Sequence, residues 1–93
     1  MPTKHTPEQV ATALASLDGW AAGDDVISKT FNFADHITAM GFVVRVAMAA
    51  EVMDHHPDLR IVYNRVEINL SSHDAGGVTD RDIALAAKIN GLA

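Results

Sequence analysis

The chain contains no cysteine, and only one tryptophan and one tyrosine among its 93 residues. Without thiols it can form no disulfide, no thiolate metal site and no cysteine nucleophile. A domain this small without disulfides fits a reducing compartment. There are three prolines and six glycines, with no linker and no low-complexity tract. Basic residues are scarce: seven Lys and Arg stand against twelve Asp and Glu, for a formal net charge of −5. Scattered as they are, they cannot build the phosphate-neutralising surface that nucleic-acid binding needs. A polar small molecule or another protein is the expected partner. No apolar run approaches the about 20 residues that cross a bilayer. The longest, Ile37 to Met53, is interrupted by Arg45 and Glu51 and reads as a core helix. Met1 to His5 lead into no apolar segment, so no secretory signal is expected. Gly76-Gly77 fits neither the phosphate-loop nor the dinucleotide spacing. Ser71-Ser72 lacks the context of a nucleophile elbow.

What is present is a single domain's worth of alternating elements, expected to span residues 1–93. A chain of this size buries only roughly 60–65% of its unfolded surface, so association with further copies is a reasonable expectation. Thr6, Pro7 and Gln9 make a helix start, with a capping box available to Thr6 and Gln9. Val10, Leu14 and Leu17 then form one helical face up to Gly19. Trp20 to Ala22, the turn Gly23-Asp24-Asp25 and Val26 to Phe33 read as a hairpin. Ile27, Phe31 and Phe33 alternate with Ser28, Thr30 and Asn32 at the period of a half-buried strand.

A second helix is predicted from Asp35 to about Asp54, ended by Pro57. Its apolar face is Ile37, Met40, Val44, Ala47, Met48 and Val52. Strands follow at Leu59 to Tyr63, with a turn at Asn64, and at Arg65 to His73. In the second of these, Asn69, Ser71 and His73 share one side. A last helix spans Asp80 to Asn90, capped by Thr79 with Asp82 three residues on, and Gly91 stands at its C′ position. The order α-β-β-α-β-β-α predicts an α+β domain, a four-stranded antiparallel sheet with helices on one face.

Three of the five histidines draw the eye. His55 and His56 are adjacent, after a helix and before Pro57; His73 ends a strand. Histidine suits acid–base work because both protonation states are accessible near neutrality. Adjacent residues in extended backbone point opposite ways, so one ring of the pair is expected to face a given pocket. From residue types alone three readings stand side by side. The pair could interact with the helix end, the cluster could carry proton transfer, or His55, His56 and His73 could join Asp54, Asp58 and Asp74 around a metal. No familiar metal-ligand spacing is present. Asp82 reads equally as a helix cap. Trp20 and the phenylalanines read as core. His5 and His36 have no constellation around them and read as surface residues.

The stretch Ala50 to Pro57, ending Asp54-His55-His56-Pro57, resembles the signature of the pterin-4a-carbinolamine dehydratase family. It is followed by Val62-Tyr63-Asn64, by Val66 to His73 and by Gly77-Val78-Thr79-Asp80-Arg81-Asp82. Gly19-Trp20, Phe31 to Asp35, Gly41-Phe42 and Val46-Ala47 extend the resemblance over about residues 7–90. The family's fold matches the predicted order, and its members are dimers or tetramers. The resemblance implies dehydration of 4a-hydroxytetrahydropterin to the quinonoid dihydropterin, recycling the pterin cofactor of aromatic amino-acid hydroxylases in the cytoplasm, with no metal or organic cofactor. It implies that His55, His56 and His73 are the active-site histidines and Asp82 their supporting acid. Asp54 and the segment Ser71, Ser72, His73 and Asp74 would contact substrate. The chain departs from the animal members at Leu59, where they carry tryptophan, and in a slightly shorter hairpin from Trp20 to Val26. A non-enzymatic alternative follows from animal members that act as dimerisation partners of a transcription factor through a helical face. A histidine-cluster metal protein is the other.

Overall fold

The computed structural model describes residues 3–93; Met1 and Pro2, where the expected absence of a signal begins, lie outside the described residues. The elements run α1 (Pro7–Leu14), β1 (Ala21–Gly23), β2 (Val26–Asn32), α2 (His36–Met53), β3 (Asp58–Val62), β4 (Arg65–Leu70) and α3 (Asp80–Asn90). The four strands form one antiparallel sheet in the order β1-β2-β4-β3. The predicted α+β order is therefore the observed one.

Each helix begins where its capping residue stands. Thr6 accepts from the Gln9 backbone N–H at 3.2 Å, and the Gln9 side chain accepts from the Thr6 N–H at 2.8 Å. The Asp35 carboxylate accepts from the Thr38 N–H at 2.7 Å, and its hydrogen bonds with Thr38 hold its pKa below the ordinary value. Such caps satisfy donors that the first helical turn leaves unpaired.

The core lies between one sheet face and the helices. Ile27 and Phe31 of β2, with Val66, Ile68 and Leu70 of β4, point into it and meet Phe42, Val46, Leu85 and Ile89. Phe42 sits 4.8 Å from Phe31 and 4.9 Å from Phe33 between ring centroids. The intervening residues Arg65, Glu67 and Asn69 point to the opposite, open face of the sheet. Trp20 is buried and donates its indole N–H to Asn90 at 3.0 Å, tying the end of α3 to the start of the hairpin.

Several boundaries differ from the sequence reading. α1 stops at Leu14, and Leu17 is buried from the turn that follows. β4 ends at Leu70, three residues before His73. Tyr63, not Asn64, takes the positive φ of 53° in the β3–β4 turn. Gly91 closes α3 in the right-handed region, so no left-handed glycine cap forms there.

The largest correction concerns α2. Its buried residues are Ala39, Phe42, Val46 and Ala50. The face expected to be core is outside instead: Ile37 is 83% exposed and Val52 82%, and Val44 and Met48 are exposed too. α2 is apolar almost all round, so helical periodicity cannot choose its inner face. Small Ala39 and Ala50 let the helix approach the sheet, and Phe42 fits between Phe31 and Phe33. α2 has the length and hydropathy of a membrane span, and it packs on the sheet through this one stripe.

Candidate active site

One end of the molecule collects the start of β2, the start of β3, the end of β4, the C-terminus of α2 and the N-terminus of α3. Every candidate residue lies there.

At the end of α2, Asp54 adopts the left-handed conformation with φ 50° and ψ 44°. Aspartate tolerates that region better than most residues. The turn lets the His55 N–H reach back to the Ala50 carbonyl at 3.1 Å, a Schellman-type closure. It swings the His55 ring under the helix end, where it is only 8% exposed. There its Nε2 lies 2.5 Å from Asp82 Oδ1. Pro57 keeps the next backbone extended. The two rings point apart, and His56 stands out in solvent.

Asp82 is fully buried, and its two oxygens do different things. Oδ1 holds His55. Oδ2 accepts from the Ser72 hydroxyl and from the Thr79 N–H, both at 2.9 Å. The Thr79 and Ser72 hydroxyls meet at 2.7 Å. Because Ser72 gives its proton to Asp82, Thr79 donates to Ser72 and its own oxygen is left to cap the helix. Cap and histidine support are thus one carboxylate. With Nε2 engaged by an acceptor, Nδ1 is the His55 nitrogen left for other chemistry.

His73 sits in a tight loop. Ser72 and Gly77 exchange backbone hydrogen bonds at 2.8 and 3.2 Å, and the Gly76 N–H reaches the His73 carbonyl at 3.3 Å. Arg81 on α3 pins this loop through Asp74, with Nη2 to Oδ1 at 2.6 Å. The Ser71 hydroxyl donates to the Asp25 carbonyl at 2.7 Å, joining the loop to the β1–β2 turn.

A cleft of about 590 Å³ opens on the open sheet face at this end. His56 and His73 line it, with Asn69 and Ser71 on the same side as His73. The β1–β2 turn and the Pro57-Asp58 entry to β3 supply the other walls. Of the residues expected to contact substrate, Ser71, His56 and His73 are in the wall. Ser72 is buried against Asp82 and Thr79, Asp74 is engaged by Arg81, and Asp54 forms the left-handed turn. His55 is not among the lining residues. Among the described residues no three His, Asp or Glu side chains converge as a metal-ligand set.

Glu51 was not singled out from sequence. One and a half turns before His56, its Oε1 lies 2.7 Å from His56 Nε2. That hydrogen bond raises the His56 pKa, aided by the charges of Glu51 and Asp54. A glutamate five residues before a histidine across a helix end is a visible signal only once the turn at Asp54 is known. The imidazolium therefore persists above the ordinary pH for histidine and fades as pH rises through the raised value. Glu51→Gln should move that fading to lower pH. Read as the pH dependence of ligand affinity at the cleft, the wild-type and variant profiles should separate. Coincident profiles would show that Glu51 does not set the charge of His56.

His5 and His36, read as surface residues with no constellation around them, are half-buried and exposed respectively, and each ring has one hydrogen-bond partner. His5 Nε2 lies 2.7 Å from Asp80 Oδ1, and His36 Nδ1 lies 2.7 Å from the Tyr63 carbonyl. Neither is among the residues that line the cleft, and both anchor chain segments.

A family model for pterin 4 alpha carbinolamine dehydratase matches residues 3–92. A protein of Paraburkholderia xenovorans, named provisionally as a pterin-4-alpha-carbinolamine dehydratase, is 53% identical, covering 96% of this chain and 95% of its own. One of Nitrobacter winogradskyi with the same provisional name is 50% identical over 100% of this chain and 94% of its own. A crystal structure from Brucella melitensis, described as a transcriptional coactivator/pterin dehydratase, superposes with a TM-score of 0.93 at 41% identity, covering 98% of this chain and 99% of that one. A pterin dehydratase-like protein identified as a RuBisCO assembly factor of the alpha-carboxysome shares the fold, with a TM-score of 0.67 at 21% identity over 80% of this chain and 86% of its own. The chain belongs to the pterin-4a-carbinolamine dehydratase family.

Proposed function

We propose that this member of the pterin-4a-carbinolamine dehydratase family removes water from 4a-hydroxytetrahydropterin, leaving the quinonoid dihydropterin. The observation that carries this reading is the placement of two imidazoles, His56 and His73, on the wall of one cleft, beside a third held by a buried carboxylate. At about 590 Å³ the cleft has the size of a small-molecule site, in the usual range of about 300–1,000 Å³.

The reaction needs two proton movements and nothing else. The N5 lone pair forms the C4a=N5 bond as the C4a–O bond breaks. A proton reaches the departing oxygen, and the N5 proton leaves to a base. Two imidazoles in opposite protonation states supply both, each typically contributing about 10²–10⁴-fold. We assign the transfer at the hydroxyl to His55 and His73. His55 does not itself line the cleft; next to His56 in its wall, it would reach the substrate through Nδ1, because Asp82 occupies Nε2. His56, kept towards the imidazolium by Glu51, binds the ring, where a cationic donor matches the acceptors of the pterin. Asp82 serves as the positioning acid. Ser71 contributes hydrogen bonding from the cleft wall, and Ser72, Asp54 and Asp74 act by shaping the backbone around it. No metal or organic cofactor enters the scheme. The product is the oxidised pterin that a reductase returns to the aromatic amino-acid hydroxylases, a role that fits a cytoplasmic protein. The test is the rate at which the quinonoid dihydropterin appears when a pterin-dependent hydroxylase generates the 4a-hydroxy species. Added protein should accelerate it; a rate equal to the spontaneous one would remove the assignment.

We also propose that further copies of the chain cover the outer stripe of α2. Ile37, Val44, Met48 and Val52 recur at seven- and four-residue steps along one side of an 18-residue helix, the pattern of a helix–helix seam. Val44→Asp with Val52→Asp should convert a dimer or tetramer to a smaller species in light scattering. An unchanged mass would place the oligomer contact elsewhere. A transcription-partner role through the same helix would survive substitution of the histidines.

A further inference from the structure

We propose that the cleft selects pterins by charge, taking those with an uncharged, hydroxylated side chain and turning away those that end in phosphate or carboxylate. This rests on the pterin reading above and names its substrate class. Three carboxylates stand on the cleft wall: Asp24 and Asp25 in the β1–β2 turn, and Asp58 at the start of β3. No lysine or arginine lines it.

The nearby cations are already matched. Lys4 Nζ lies 2.8 Å from Asp25 Oδ1, and Arg81 is paired with Asp74. Arg60 and Arg65 both meet Glu67, and His56 is matched by Glu51. Asp24 and Asp58 enter no ion pair among the described residues. The cleft therefore carries about two uncompensated negative charges in a chain whose net charge is −5. Carboxylates, Asn69 and Ser71 offer a hydroxylated side chain acceptors and donors. They offer an anionic one no unmatched cation, since His56 is already paired with Glu51, and a wall rich in carboxylates focuses its repulsion.

Two carboxylates about 12 Å from a dianionic group in a water-like medium should weaken its binding by about tenfold at low salt. Above about 0.1 M salt the Debye length falls to about 10 Å or less, and the penalty shrinks. A penalty of size would ignore salt.

The test is equilibrium binding of dihydroneopterin and of its monophosphate, which differ only in the charged end. Wild type should prefer the uncharged ligand by about tenfold at low salt. High salt, or the double substitution Asp24→Asn with Asp58→Asn, should narrow the preference to within about threefold. Both aspartates are exposed, so the variant should keep the wild-type circular dichroism. Equal affinities in the wild type, or a preference unchanged by both salt and substitution, would overturn the charge selection and leave the pterin reading standing. Binding of neither ligand would overturn the pterin reading itself, and the selection with it.

Discussion

Replacing Asp82 with alanine is expected to lower folding stability by about 3–5 kcal/mol, the range seen when one partner of a buried pair is removed. The carboxylate is fully buried and accepts from the His55 ring, the Ser72 hydroxyl and the Thr79 N–H. Alanine strands all three, and each buried group left without a partner costs about 1–3 kcal/mol. A domain of this length has only about 5–14 kcal/mol in total, so the variant should be close to unfolding at body temperature. Asp82→Asn should be milder. Its amide can keep either the side facing His55 or the side facing Ser72 and Thr79, since its nitrogen donates where the carboxylate accepted. Urea denaturation followed by Trp20 fluorescence measures both losses. A loss below about 1 kcal/mol for alanine would show that the three donors find other partners. In the asparagine variant that remains folded, kcat should fall as well if the amide keeps Ser72 and Thr79, because His55 then loses the acceptor that fixes its Nε2.

His73→Ala should have the opposite profile. The residue is exposed and stands in a loop held by Ser72, Gly77, Asp74 and Arg81, none of which depends on the imidazole. Its stability cost should stay within about 0.5 kcal/mol. Its activity should fall by about 10²–10⁴-fold, the size of one acid–base group. Activity within tenfold of wild type, with the fold intact, would take His73 out of the proton-transfer step and leave its place in the cleft wall unexplained. Together the two substitutions separate holding the site from performing the reaction.

Much of this was legible in the sequence, for local reasons. The capping boxes at Thr6 with Gln9 and at Thr79 with Asp82 depend only on residues three apart. Both helix starts fall where those residues stand. The alternation through β4 put Asn69, Ser71 and His73 on one side, and all three line the cleft even though the strand ends at Leu70.

What was hidden depends on tertiary choice. Asp82 read as either cap or acid; only the fold shows that its two oxygens divide these tasks. The turn at Asp54 is a left-handed aspartate with no glycine to announce it, so neither the burial of His55 nor the reach of Glu51 to His56 could be seen. The inner face of α2 was misassigned for a related reason. With apolar residues on every side, the decision falls to the fit of Phe42 between Phe31 and Phe33, which no spacing within the helix records.

The most direct test of proton transfer by this cluster is the ultraviolet decay of 4a-hydroxytetrahydropterin. It would be followed with wild-type protein and with a folded variant carrying His55→Ala, His56→Ala and His73→Ala. Histidine acid–base catalysis predicts a decay well above the spontaneous rate with wild type and a return to that rate in the triple variant. A triple variant that keeps the wild-type acceleration would contradict it.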